Sequence, residues 1–153
     1  MAMRRAAIAA LGVAVLAAGC GSSGTDQNSP EVRAIKRVYA AQLEAVKRGD
    51  AKTACALLTP RFQRRAARFT AITKRSLTKG ASCEKALKVG TLRGAIRGAR
   101  PTLIHVVVHG SSAWALHPAQ GSLGAQKVLF RRIGGEWRIA GEISYQGGPL
   151  IGG

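Results

Sequence analysis

The apolar residues of this 153-residue chain change their spacing part-way along the sequence, and that change limits the folds open to it. Between residues 30 and 88 they recur every three or four positions, as on one face of a helix. Beyond residue 103 they form short, β-branched runs separated by Gly, Ser and Pro, which is typical of strands and turns. This order predicts an α+β domain, with N-terminal helices packed on one face of a curved antiparallel sheet.

The helical half opens with a start signal. Ser29 is suited to cap a helix, Pro30 to occupy its first turn and Glu31 to lie near the positive end of the helix dipole. Gly49 ends the pattern. The apolar face between these signals is Val32, Ile35, Tyr39, Leu43 and Val46. Three further helices are predicted over residues 51–58, from Pro60 to Gly80, and over residues 83–87.

Four strands are predicted in the second half, over residues 103–108, 113–116, 126–133 and 136–143, and a weaker fifth is expected over residues 89–96. Gly110-Ser111-Ser112 turns the chain after the first strand, and His117-Pro118 stops the second. Gly134-Gly135 forms a two-residue hairpin connection between the last two. The short connections predict an antiparallel meander.

The N-terminal segment is an export signal. Arg4 and Arg5 precede a run of uncharged apolar or small residues, 6–18, which has the length of a signal-peptide apolar region and is too short to span a bilayer. The following residues, LAAGC at 16–20, resemble the lipobox of bacterial lipoproteins, although Ala17 stands where that motif usually has Leu. The resemblance implies that residues 1–19 are removed and that Cys20 is lipidated.

A lipidated Cys20 places the protein outside the cytoplasm, anchored to the outer face of the cell membrane. Residues 20–29 are polar and rich in Gly and Ser, and we expect them to form a flexible tether. The alternative is an ordinary secreted protein cut near Ala18.

The chain is strongly basic, with 24 Lys+Arg against 7 Asp+Glu and a formal net charge of +17. Only Arg4 and Arg5 belong to the leader, so the charge lies on the domain. It indicates an anionic partner in the cell envelope, either anionic lipid or a wall polymer. Export and the lack of aromatic residues interleaved with the basic ones argue against nucleic acid. A solvated surface without a partner is the alternative. The candidate contacts on the third helix are Arg61, Arg64, Arg65, Arg68 and Arg75.

Cys55 and Cys83 form an even pair in an exported protein, which favours one disulfide. A metal site made of both cysteines and two of His105, His109 and His117 is the alternative, together with free thiols. No CxxC or HExxH spacing supports the metal site, and we predict neither a metal nor a cofactor.

Two segments carry a resemblance to a known family: IHVVVHGSSAWA at residues 104–115 and VLFRRIGGEWRI at residues 128–139. Together with a first helix ending in Gly49-Asp50 and a Cys-bearing short helix after it, they resemble the nuclear transport factor 2-like superfamily, especially its exported lipoprotein members in Gram-positive bacteria. The resemblance covers about residues 30–145. It implies a domain over residues 30–146, shaped as a cone with a pocket. The last residues, 147–153, are expected to form a loose tail because of their terminal position.

The family includes isomerases, dehydratases, cyclases and non-catalytic domains, so it implies a fold better than a function. His105 and His109 share one face of a strand, and Glu142 with Tyr145 nearby is the best remaining carboxylate. These four are the candidate pocket residues. No nucleophile, phosphate-loop or dinucleotide motif is present, which favours a non-catalytic domain that binds a small ligand, a partner protein or an anionic envelope component. A pocket enzyme of the isomerase or dehydratase type is the alternative. The oligomeric state is open, a homodimer included.

Overall fold

Four helices pack against one four-stranded antiparallel sheet, which confirms the predicted α+β class; the sheet is not strongly curled. The computed structural model describes residues 25–73, 82–89, 98–120 and 124–144. Cys20, Arg75, Tyr145, residues 90–96 of the expected fifth strand, the leader and the C-terminal tail lie outside these residues. The helices are α1 (Pro30–Arg48), α2 (Ala51–Ala56), α3 (Pro60–Thr73) and α4 (Cys83–Val89). The strands are β1 (Ile104–His109), β2 (Ser112–His117), β3 (Gln126–Ile133) and β4 (Glu136–Ser144).

Helix α1 forms as its sequence predicts. The Ser29 hydroxyl accepts a hydrogen bond from the Val32 amide at 3.2 Å, and Gly49 ends the helix in the left-handed region at φ 77°. A glycine adopts that conformation without steric cost. All five residues of the predicted apolar face are buried. They pack with residues of the sheet in the main hydrophobic core or, at the C-terminal end of α1, with α2.

The sheet is a simple meander in the order β1-β2-β3-β4. Gly134 and Gly135 both have positive φ, 58° and 85°, so the last hairpin is a two-residue turn of the type that only glycine-like residues enter easily. The core face of the sheet carries Val106, Ala113, Ala115, Val128, Phe130, Trp137 and Ile139, all buried. Within the described residues, these side chains pack with the helices in one core cluster, and α3 also contacts β4.

Each edge of the sheet is met by another part of the same chain. At the β1 edge, the Gln27 side-chain amide donates to the Val106 carbonyl at 2.8 Å and its oxygen accepts from the Val106 amide at 3.3 Å. The Thr25 hydroxyl accepts from the Val108 amide at 3.0 Å. At the β4 edge, Ile139 forms a parallel bridge with Leu58.

The bridge between Leu58 and Ile139 also explains why α2 is shorter than predicted. The Ile139 amide donates to the Leu57 carbonyl at 2.9 Å, and the Thr59 amide donates to the Ile139 carbonyl at 2.8 Å. Residues 57–59 thus leave the helix to pair with β4. The spacing of apolar residues in the helix does not reveal that residues 57–59 pair with a strand some eighty residues later in the sequence.

A disulfide joins Cys55 of α2 to Cys83 at the start of α4, with the two Cα atoms 6.1 Å apart, which confirms the predicted pairing. Both cysteines are buried in the main core. Since both sulfurs are bonded to each other, neither is available as a thiolate, and the metal-site alternative is wrong for this pair. In the described ranges, no helix has the length and apolarity needed to cross a membrane.

Candidate functional site

The structure places the two predicted histidines of β1 on its exposed side. His105 and His109 are both solvent-exposed, and His105 lies beside a register irregularity with φ at 49°. Because β1 and β4 are opposite edges of the sheet, these histidines are not brought together with Glu142. Tyr145, the fourth candidate, lies outside the described residues.

Glu142 faces the helical side of the sheet because of a bulge in β4. Phe130 pairs with Ile139 and Leu129 with Gly141, so Ala140 is an extra residue on β4. Strict alternation from Ile139 would turn Glu142 to the outer face. The extra residue reverses the phase, so that Glu142 pairs with the buried Val128 on the core face.

His117 is the last residue of β2 and is wholly buried. Strand alternation places it on the core face after Ala113 and Ala115. Its ring lies against the ring of Tyr39 from α1, with the centroids 5.6 Å apart and the planes tilted by 56°. We call Tyr39, His117 and Glu142 the polar cluster.

One nitrogen of His117 has no partner within the described part of the chain. Nε2 lies 3.4 Å from the Arg100 carbonyl oxygen, while Nδ1 is buried without a hydrogen bond. A carbonyl oxygen only accepts, so this contact favours the tautomer that carries its proton on Nε2. Nδ1 is then a buried acceptor without a donor.

Burial moves all three members of the polar cluster toward their neutral forms. It raises the pKa of Tyr39 well above its ordinary range, and the negative charge of Glu142 adds to that rise. It lowers the pKa of His117, an effect that the Arg100 carbonyl partly offsets. It also raises the pKa of Glu142. Water reaches the Glu142 side chain, which is exposed, while the surrounding protein limits how many waters solvate its charge.

The polar cluster supplies hydrogen-bonding groups and a carboxyl whose pKa is raised toward neutrality. Such a set is suited either to holding a small polar ligand or to moving a proton. Among the described residues, no group of three or more His, Cys, Asp or Glu side chains is placed to hold a metal ion.

A second feature lies between α3 and the β3–β4 pair. It is a groove of about 1020 Å³ whose rim carries arginines of α3 and of β3, and we call it the arginine groove. The α3 arginines lie at spacings of three and four, so they form one stripe. Glu142 also lines the groove, so the two features meet there. The arginines that line it are Arg61, Arg64, Arg65, Arg68 and Arg131.

Sequence reasoning missed two members of the polar cluster. Tyr39 was counted only as part of the apolar face of α1, and His117 as a strand end and a metal-site alternative. The alternation of Ala113, Ala115 and His117 is the signal that places this histidine on the core face.

No family model matches the chain, and neither does any curated protein or solved structure.

Proposed function

We propose that this protein is an exported lipoprotein, anchored through Cys20 to the outer face of the cell membrane. Its domain binds a small polar ligand at the polar cluster. The cone-shaped, nuclear transport factor 2-like form of the domain is part of the proposal. The export signal and the lipobox-like residues support the location. The Cys55–Cys83 disulfide fits an oxidising compartment outside the cytoplasm.

The observation that carries ligand binding is the unpartnered Nδ1 of His117. Leaving a buried acceptor without a donor costs about 1–3 kcal/mol, so such groups are rare unless something else satisfies them. A ligand hydroxyl or amine would donate to Nδ1. In this proposal the ligand enters beside Glu142, which is solvent-exposed. The ligand class is therefore a small molecule with at least one hydrogen-bond donor.

Native mass spectrometry of the protein purified gently from producing cells tests this. We expect the wild type to carry a small-molecule adduct that His117→Leu loses. His109→Leu is the matched control, because His109 is exposed on β1, and it should keep the adduct. A wild type without any adduct that depends on His117 would overturn the proposal.

The second candidate is a proton-transfer enzyme in which Glu142 is the base. It is favoured by the raised pKa of Glu142 beside Tyr39, since a base works best when its pKa lies near the working pH. The recovered ligand, incubated with the protein in D₂O, would then exchange a C–H hydrogen for deuterium, and Glu142→Gln would abolish the exchange while keeping the adduct. Absence of exchange in the wild type would leave a binding domain.

A further inference from the structure

The arginine groove combines positively charged and exposed aliphatic surface. Arg61, Arg64, Arg65 and Arg68 are all exposed along its α3 wall. Leu129, Ile133 and Ile143 contribute apolar surface to the same groove. Ile133 and Ile143 are 39% and 49% exposed, so this hydrocarbon is open to water. Guanidinium groups above exposed aliphatic surface match a molecule with an anionic head and an apolar body.

The apolar floor follows from the bulge in β4. Without the extra residue Ala140, Ile143 would alternate onto the core face and Glu142 onto the outer face. The bulge instead exposes Ile143 and pairs it with Lys127 on the outer face. Ile143 is therefore exposed because the bulge shifts the strand register.

Within the part of the chain that the structure describes, no ion pair neutralises the positive charge of the α3 stripe. The ion pairs of the described residues join Glu44 to Lys47, Glu31 to Arg132 and Glu136 to Arg138, and none involves an arginine of α3. Glu142 is the one acidic residue that lines the groove, and its carboxyl pKa is raised. Four like charges within about two turns repel one another, and a bound anion would remove that repulsion.

We propose that the arginine groove docks anionic phospholipid of the membrane surface. Arginine forks bind phosphate through paired N–H donors, and the aliphatic floor receives the glycerol and upper acyl portion of the lipid. The volume of about 1020 Å³ exceeds what a lone phosphate needs and lies at the upper end of pockets that hold small molecules. A wall polymer offers phosphate as well, but it has no hydrocarbon for the floor.

The tether sets the geometry of docking. Because Thr25 is already bonded to β1, only residues 20–24 separate a lipidated Cys20 from the fold. At about 3.3–3.6 Å per residue, they reach at most about 18 Å, so the domain stays at the membrane surface. This step rests on the proposed anchoring, whereas the groove itself does not.

The test uses full-length protein carrying Cys20→Ser in every variant, so that its result does not depend on lipidation. Cosedimentation is measured with phosphatidylcholine vesicles, with and without phosphatidylglycerol, and the readout is the gain in binding that phosphatidylglycerol causes. The leader contributes equally to all variants. We expect a gain of at least about tenfold for the parent, which high salt reduces.

Two variants of equal net charge separate the groove from overall charge. The groove variant changes Arg61, Arg64, Arg65 and Arg68 to Gln, and we expect it to lose most of the gain. The control changes four exposed cations outside the groove to Gln and should keep it. These are Arg48, Lys52, Lys85 and Lys88. Glutamine is a good helix former, so both variants should fold. An equal loss in both would overturn the proposal.

The floor separates lipid from a water-soluble phosphate. Ile143→Gln with Ile133→Gln leaves every arginine in place, and we expect it to lower the gain by about threefold or more. Glycerol phosphate, added at the concentration of accessible phosphatidylglycerol, should compete poorly. Two results would overturn docking of the lipid: a floor variant that binds like the parent, or full competition by glycerol phosphate. Either result would mean that the arginines bind a soluble phosphate or a wall polymer.

Discussion

The polar cluster and the arginine groove meet at Glu142, yet they hold their polar groups in opposite ways. In the polar cluster, His117 and Tyr39 are buried, and burial favours their uncharged forms. In the arginine groove, the guanidinium groups stand in water and stay charged. A buried neutral set discriminates by hydrogen bonding and shape, because unpaired groups are costly there. An exposed cationic set responds to charge and weakens with salt. The two features would therefore bind their ligands through different interactions, hydrogen bonding in the polar cluster and charge in the arginine groove.

The largest expected effect comes from removing the disulfide, which should destabilise the helices beside the arginine groove more than the strands of the polar cluster. Replacing Cys55 and Cys83 by Ala should lower the free energy of unfolding by about 3–4 kcal/mol, the chain-entropy estimate for a loop of 28 residues. The disulfide ties α2 to α4, and α3 packs on α4, while the polar cluster rests on α1 and the sheet. Hydrogen exchange should therefore speed up more in α3 and α4 than in β2–β4. Reduced wild type should match the variant, and a uniform increase along the chain would contradict the comparison.

The next effect has the opposite sign. His117→Leu removes a buried nitrogen that lacks a donor, at similar side-chain volume, and should raise the free energy of unfolding by about 1 kcal/mol in urea titrations. Arg64→Gln should change it by less than about 0.5 kcal/mol, since Arg64 is exposed. A loss of stability in His117→Leu would mean that the histidine is already satisfied and would remove the reason to expect a ligand.

The smallest effect is the dependence of stability on pH. The pKa of His117 lies below its ordinary 6.5 because burial disfavours imidazolium, so the unfolded chain binds the extra proton and stability is lost as pH falls from 6.5 through the folded pKa. The pKa of Glu142 lies above its ordinary 4.5 because burial disfavours carboxylate, so stability is lost as pH rises from 4.5 through the folded pKa.

Urea midpoints measured across this pH range check both signs. His117→Leu should flatten the loss at falling pH, and Glu142→Gln the loss at rising pH. The four-arginine groove variant should leave the profile unchanged, because arginine does not titrate in this range. The opposite result would contradict the comparison between the polar cluster and the arginine groove. In that result, the four arginine changes alter the dependence of stability on pH, whereas His117→Leu and Glu142→Gln leave it unchanged.

The helices and the hairpin were predictable because their signals are local. The cap at Ser29, the left-handed glycine at 49 and the Gly134-Gly135 turn each act within a few residues. The α3 arginine stripe was predictable for the same reason, since it follows from helical spacing alone.

The polar cluster could be predicted only in part because it depends on register. One extra residue, Ala140, decides which face of the sheet Glu142 takes. The neighbouring Gly141 is compatible with a bulge, but a glycine alone does not fix the register. The contact between Tyr39 and His117 joins a helix to a strand far along the chain. The end of α2 was misplaced for a similar reason, because Leu58 pairs with a residue in the last strand.

The side chains bonded to the β1 edge affect whether neighbouring domains on a membrane can pair through their sheets. Lipid anchoring would confine this domain to two dimensions, where neighbours meet often and in similar orientations. An open strand edge invites such neighbours to add their own strands. Thr25 and Gln27 already occupy hydrogen-bonding positions of β1, and the Leu57–Thr59 segment does so at β4. These contacts occupy part of each edge, so a neighbouring domain would have to displace them before it could add a strand there.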